Sequence, residues 1–449
     1  MSAAASRTFF KASQLPESPG VCGWVALLPP RLGEGRAAEA LTADVTVIGA
    51  GFAGLSAARR VAQLDPSLRV VVLEAGVVGN GPAGRNSGFI IDLPHEVSSE
   101  DYGGDSLQKS RDHVTLQRRA VTFATELAAE RGLGRDVLEA CGRYNLALSP
   151  NGDKHLADYA AQFDRLGEAH TMLDAAAVAG VTGSQAFTSG IYMPGTAIVQ
   201  PAAYVRALAD SLAPPVRLFE NTPAVAFERK GPGWLVRTPK GSVESPRIVL
   251  ANNGYAERFG FFRGQLLHVY TYASMTEPFE PARLGGERSW AATPASPMGT
   301  TLRRERGEAG DRLLVRSRYT YNPGLDVGEG TLRRAGAVHD AKFAHRFPGL
   351  RGVRMQYRWG GAMALTWNGV PAFGEVEPGI VAACGCNGLG ASNATASGLA
   401  AAETLAGVET ELTGIYRAFA APQALPPQPL TLIGAKATLA FREWKAGIE

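Results

Sequence analysis

DVTVIGAGFAGLSAARRVAQLDPSLRVVVLEAG, residues 44–76, joins an apolar strand, a Gly-x-Gly-x-x-Gly turn, an amphipathic helix and a second apolar strand that ends in an acid. Gly49 lets the chain turn sharply off the first strand, Gly51 lets backbone approach a pyrophosphate with no Cβ in the way, and Gly54 lets the helix pack close to the sheet. Phe52 and Ala53 open the helix, where unpaired N–H groups and the positive end of the dipole meet phosphates. Glu74, with Ala75 behind it, lies 20 residues beyond Gly54, the distance at which an acid accepts hydrogen bonds from an adenosine ribose. An acid there disfavours the 2′-phosphate of NADP. Alone, the glycines would fit any tight strand-to-helix turn, but the apolar strands on both sides and the helical spacing of Leu55, Ala58, Val61 and Ala62 make this a dinucleotide-binding βαβ unit.

At 449 residues the chain exceeds one ordinary core, so two domains sharing an interface are expected. The net charge of +3, from 45 Lys and Arg against 42 Asp and Glu, predicts neither a nucleic-acid surface nor a polybasic membrane anchor. Cys22, Cys141, Cys384 and Cys386 lack metal-ligand spacing, so no metal is expected. The first residues lack the apolar core of a signal peptide, and no apolar run reaches the roughly 18 residues of a membrane span. A cytoplasmic protein without a membrane span is therefore expected.

Residues 1–43, rich in Pro, Gly and Ala, read as an arm laid on the surface and pinned by Trp24, Leu27 and Leu28. Residues 105–131, 153–180 and 331–347 and the C-terminal tail read as helices. Residues 216–251 alternate apolar and polar groups around Gly-Pro-Gly at 231–233, as a strand meander does. Residues 264–322 are again strand-like and alternate aromatics with arginines. The resulting expectation is a mixed α/β, α+β architecture, in which a Rossmann-like nucleotide domain (44–95, 190–260 and 355–415) is interleaved with a substrate domain (96–189 and 261–354). The substrate domain is built on a mainly antiparallel sheet with helices, and residues 416–449 form a C-terminal extension.

Seven motifs in order, VIGAGFAGLSAA (47–58), VVLEAG (71–76), GPAGRNSGFI (81–90), IVQPAAYVRALA (198–209), RIVLANNGYAERF (247–259), YRWGGAMALTWNGVPAFG (357–374) and GCNGLGASNATASG (385–398), resemble the FAD-dependent amine and amino-acid oxidoreductases of the D-amino-acid oxidase superfamily, γ-glutamylputrescine-oxidoreductase-like branch. The resemblance runs from Asp44 nearly to the end of the chain and implies FAD rather than NAD. It implies that Gly84, Arg85, Asn86, Ser87 and Gly88 form a second loop beside the flavin, that Val225 meets the adenine, and that Gly361 borders the ring. It also implies that the helix opened by Gly388, Leu389 and Gly390 points at the pyrimidine end, where its N-terminus suits the negative charge of reduced flavin. The family pattern has Ser and Gly where this loop has Ala83 and Ser87. Some relatives tether the flavin through a cysteine near the segment matching YRWGGAMALT; none stands there, which implies noncovalent FAD.

The implied activity is oxidation of a C–N bond in an amine or amino acid, with hydride transfer to flavin N5 and hydrolysis of the imine. The electron acceptor is left open between oxygen and a respiratory carrier. Arg303, Arg304, Arg316 and Arg318 are candidate carboxylate ligands, and Arg316 stands where relatives carry the first glycine of Gly-Arg-Leu-Leu-Phe-Gly-Gly. His268 shares a strand face with Tyr270 and Tyr272, while Trp359 and Trp367 are candidate aromatic walls. Core packing explains these aromatics equally well. Two alternatives stand beside this reading: a flavoprotein of the same fold that modifies RNA or assists assembly, and an NAD-linked dehydrogenase resting on the first glycine motif alone.

Overall fold

A computed structural model of the chain describes residues 8–33, 39–93 and 105–449. The remaining parts of the expected arm and of the expected substrate segment beginning at 96 lie outside the described residues. The deciding strands Val45–Ile48 and Val70–Leu73 are buried along their whole length, as apolar strands covered on both faces must be. They sit centrally in a six-stranded sheet of order Val216–Phe219, Val70–Leu73, Val45–Ile48, Arg247–Leu250, Ile380–Cys384, Ala372–Glu377. The first five run parallel, and Ala372–Glu377 closes the edge antiparallel.

Two helices meet on one face of this sheet, Phe52–Leu64 and Gly390–Ala406, and a long third helix, Asp105–Arg131, packs beside them. Their closeness is set by glycine. A Cβ on Gly54 would run into the Gly49 carbonyl, and one on Gly398 into the Ala53 carbonyl. The other face packs against aromatic residues of a five-stranded sheet, among them Phe10, Phe227 and Trp234. The predicted meander is the centre of that sheet: Ala226–Lys230, Gly233–Arg237 and Ser242–Ser245 pair antiparallel in succession.

The second layer is a nine-stranded sheet of order Gly20–Val21, Met355–Thr366, Leu266–Thr276, Arg312–Tyr321, Thr301–Glu305, Trp290–Pro294, Arg143–Ala147, Ser189–Met193, Thr171–Asp174. It is antiparallel except where Trp290–Pro294 pairs parallel with Arg143–Ala147. Strands from both sides of two expected domain boundaries pair within this sheet. Met355–Thr366 and residues 190–193 of Ser189–Met193, assigned from sequence to the nucleotide domain, pair with the substrate strands.

The described parts of the expected arm join these sheets, and its expected pin Trp24 is buried. Phe9–Lys11 and Ala40–Thr42 flank the meander, Gly20–Val21 edges the nine-stranded sheet, and Trp24 is only 1% exposed. These strands are two or three residues long, too short to leave a periodic signal. Among the described residues no helix is long and apolar enough to cross a membrane.

Candidate active site

Between the ends of the parallel strands (Ile48, Leu73, Ala251, Cys384) and the long sheet (Thr271, Tyr272, Thr301, Arg316, Ala362) lies a cleft of about 2150 Å³, its mouth included. Ligands of open α/β sheets bind at the carboxyl ends of the strands, and this cleft is placed accordingly. Two helices begin in its wall. Phe52–Leu64 starts after Gly51 and Gly390–Ala406 after Leu389, and neither N-terminus has a side-chain cap. A Cβ on Gly51 would meet only the Ala83 methyl at 3.5 Å, and one on Gly388 would meet nothing within 4 Å. Uncapped N–H groups facing glycine-lined space form a cradle for anionic and oxygen-rich groups.

Glu74 stands at the rim of that cradle. Its carboxylate accepts the Ala50 N–H at 2.8 Å and the Gly76 N–H at 2.9 Å, which fixes its position beside the turn. Burial pushes its pKa up, and those two N–H groups oppose the rise. The donor set fits a dinucleotide: helix N–H groups for phosphates, a fixed acid for ribose hydroxyls, and small residues wherever the ligand must lie close.

The segment 81–90 is held from behind. Arg85 faces the cleft with its stem but spends its guanidinium on carbonyls, those of Asn80 at 2.8 Å, Pro19 at 2.9 Å, Gly20 at 3.0 Å and Gly360 at 3.2 Å. Buried indoles grip the same loop, Trp359 donating to the Arg85 carbonyl and Trp24 to the Asn86 carbonyl, each at 2.9 Å. Asn86 closes the turn on itself, donating to the Ala83 carbonyl at 2.6 Å and accepting the Gly88 N–H at 2.7 Å.

Of the residues expected in the site, Gly49, Gly51, Phe52, Ala53, Glu74, Ala75, Arg85, Asn86, Ser87, Gly361, Gly388, Leu389, Gly390 and Arg316 line the cleft together. Gly54, Gly84 and Gly88 stand behind it. Gly54 serves helix packing, Gly84 sits where a Cβ would strike the Gly79 carbonyl, and Gly88 has φ +82° with the Val199 carbonyl against it. Val225 is displaced by one position. Its N–H and C=O are bonded to Arg237 and Ala12, while Pro223 and Ala224 line the cleft. In extended chain a shift of one residue changes the face, which explains the miss.

His268 and Trp359 are corrected as well. His268 is buried outside the cleft lining, with Nε2 against the Glu257 carboxylate. Burial alone would raise the Glu257 pKa, but this pairing and the Gly264 N–H bring it below the usual value. Trp359 is fully buried against Cys22, Trp24 and Met275 and reaches the site only through the Arg85 carbonyl. Trp367 is exposed.

At the substrate end the four candidate arginines separate. Arg303 pairs with Glu305, Arg304 with Asp311 and Arg318 with Glu443. Arg316 lines the cleft and has no acid partner among the described residues; it bonds the Tyr319 hydroxyl and lies 4.7 Å from that ring's centroid. Tyr255 and Tyr272 join the lining, and burial raises the pKa of both phenols. Cys386 also lines it, with its thiol pKa raised by burial, and its neighbour Cys384 is pushed up to about 12. Sequence reasoning missed Ala12, Gln14, Leu15 and Pro16, which wall one side of the cleft. Nothing in their spacing announces it.

The family described as FAD dependent oxidoreductase matches residues 44–404. The chain belongs to that family. Its cofactor is therefore FAD, and the NAD-linked alternative falls. The chain is 26% identical over 411 residues to "Probable oxidoreductase OrdL" of Rhizobium meliloti, covering 89% of this chain and 91% of the relative. It is 27% identical over 383 residues to "Gamma-glutamylputrescine oxidoreductase" of Escherichia coli, covering 82% and 85%. Among solved structures it is similar to glycine oxidase from Geobacillus kaustophilus, with TM-score 0.67 and 22% identity over 82% of this chain and 96% of the other. L-proline dehydrogenase from P. horikoshii gives TM-score 0.66 and 18% identity over 84% and 98%. Both establish the fold.

Proposed function

We propose that this oxidoreductase acts on the C–N bond of a small amine or amino acid that carries an anionic group, using noncovalently held FAD. The observation that carries the reading is Arg316, a cationic side chain in the cleft wall with no acid partner among the described residues, while Arg303, Arg304 and Arg318 are each neutralised. A guanidinium so placed binds a carboxylate through paired N–H donors. The names of the relatives support the same substrate class, being those of oxidoreductases of γ-glutamylputrescine, glycine and proline.

Bound FAD supplies acceptance of a hydride at N5 from the carbon that bears nitrogen. The protein's part is placement. The two uncapped helix N-termini would hold the phosphates and offset negative charge on the reduced cofactor, and Glu74 would accept from ribose hydroxyls. Arg316 fixes one end of the substrate so that its C–H reaches the ring, with Tyr255 and Tyr272 excluding water. The segment YRWGGAMALT, where some relatives tether the flavin through a cysteine, carries none, which supports noncovalent binding.

Anaerobic titration of the purified yellow protein with a panel of amines and amino acids tests this reading. The flavin should bleach with carboxylate-bearing amines and respond more weakly to their uncharged analogues. A flavin reducible by dithionite but by no amine of the panel would refute it.

A further inference from the structure

The C-terminal helix Leu430–Ala446 packs on the long sheet with one face and leaves another bare. Thr431, Ala435, Leu439, Glu443 and Ala446 turn inward toward the strand Arg312–Tyr321, where Glu443 pairs with Arg318 and accepts the Tyr319 N–H at 2.8 Å. Outward stand Leu430 and Ile433, each 61% exposed, Phe441 at 60% and Trp444 at 77%. With Ala437 and Ala440 they fall within an arc of about 100° when the helix is unrolled at 3.6 residues per turn. Monomeric soluble proteins rarely leave such a stripe of large apolar groups uncovered.

The charges around the stripe indicate what covers it. Lys436 stands about 40° beyond one margin and Lys445 about 40° beyond the other, and Arg442 adds a third exposed cation. The single acid of the helix, Glu443, is turned inward and neutralised. The approach to the helix is uncharged, with no Asp, Glu, Lys or Arg anywhere in residues 418–435. Exposed Trp367 lies on a turn tied to that approach, Asn368 donating to the Ala421 carbonyl at 3.0 Å and accepting the Gln423 N–H at 3.2 Å. A second copy of the chain would bring like charges together across the seam. An anionic lipid surface instead meets apolar groups in its acyl boundary and lysines at its headgroups, with the Lys stems lying along apolar surface.

We infer that Leu430–Ala446 is an in-plane anchor that docks the protein peripherally on an anionic bilayer through Phe441 and Trp444, with Lys436 and Lys445 at the headgroups. The helix lies in the plane of the bilayer surface and does not cross it.

The test uses the full-length, FAD-loaded protein with vesicles of phosphatidylcholine, with and without phosphatidylglycerol. The protein should sediment with the anionic vesicles, remain in solution with the neutral ones, and lose binding as salt rises. Combined Phe441→Glu and Trp444→Glu should weaken binding at least about tenfold, with flavin content and flavin reduction unchanged. If the double variant loses its flavin, Lys436→Glu and Lys445→Glu decide singly, each being expected to weaken vesicle binding about threefold or more. The proposal is overturned if the wild-type protein stays in solution with anionic vesicles, or if binding ignores all of these substitutions. It is equally overturned if sedimentation velocity shows a dimer that Phe441→Glu and Trp444→Glu split, which would make the face a contact between copies.

Discussion

The wall of the cleft on the parallel-sheet side is made of backbone, and the wall on the long-sheet side is made of side chains. On the first, Gly51, Gly388 and the two uncapped helix starts present N–H groups and empty space, and the nearest carboxylate is fixed by main-chain donors. On the second, Tyr272 and Arg316 reach in from long antiparallel strands and Thr301 from a shorter one, and the pairing of the two long strands changes register between Thr271 and Tyr272. A backbone wall serves any ligand with the same phosphates and ribose; a side-chain wall can be rebuilt residue by residue for another substrate. One protein thus keeps its cofactor chemistry fixed while its specificity stays adjustable.

The comparison breaks most visibly at Gly51. Gly51→Val adds atoms that the protein itself accommodates, since the nearest neighbour of a Cβ is the Ala83 methyl at 3.5 Å, but it fills the space over the helix start. FAD affinity should fall about a hundredfold or more while the apoprotein melts near the wild-type temperature, as measured by flavin fluorescence and calorimetry. A variant that retained its flavin would mean the phosphates lie elsewhere.

The side-chain region also carries buried polar groups that titrate. His339 bridges the Ser274 hydroxyl at 2.7 Å and the Ser317 carbonyl at 3.3 Å, and burial lowers its pKa from 6.5 to about 4. A lowered folded-state pKa means that the unfolded chain takes up the proton first, so the share of stability linked to His339 is full above pH 6.5 and drains away as pH falls toward about 4. The total loss is roughly 3 kcal/mol. Denaturant unfolding across that range should reveal the slope, and His339→Gln should flatten it.

Arg316→Ala probes the side-chain wall directly. Loss of one charge-assisted contact costs about 1.5–3 kcal/mol, so half-reduction of the flavin should need tenfold or more substrate. FAD retention should not change. The smallest effect belongs to His268, which pairs with Glu257 outside the cleft: His268→Asn should alter the rate of flavin reduction by less than about threefold in anaerobic stopped-flow. A hundredfold loss would return it to the reaction.

The same contrast accounts for what was legible beforehand. Gly49, Gly51, Gly54 and Glu74 could be placed from sequence because a turn that admits a phosphate accepts few other residues. Val225 lies outside the cleft lining while Ala224 lines it, because an extended chain gives no local cue to which residue of a pair faces inward. Trp359 and His268 were unreadable for a different reason: an aromatic in a strand packs equally well on either side of a sheet, and only the tertiary partners, the Arg85 carbonyl and the Glu257 carboxylate, decide. The contribution of residues 12–16 rests on contacts with residues far along the chain, and no window of sequence contains them.

That N-terminal crossing has a consequence for time rather than for strength. The chain passes along one side of the cleft and is fastened by Arg85 to the Pro19 and Gly20 carbonyls, by Trp24 to the Asn86 carbonyl and by a strand pairing two residues long. A cofactor seated in the cleft behind this crossing would leave only as the crossing parts, and the pairing at Gly20–Val21 is the shortest of its ties. Exchange of bound for free flavin is then clocked by the opening of this segment, and a dilution half-life measures the latch, whereas a binding constant measures the cradle.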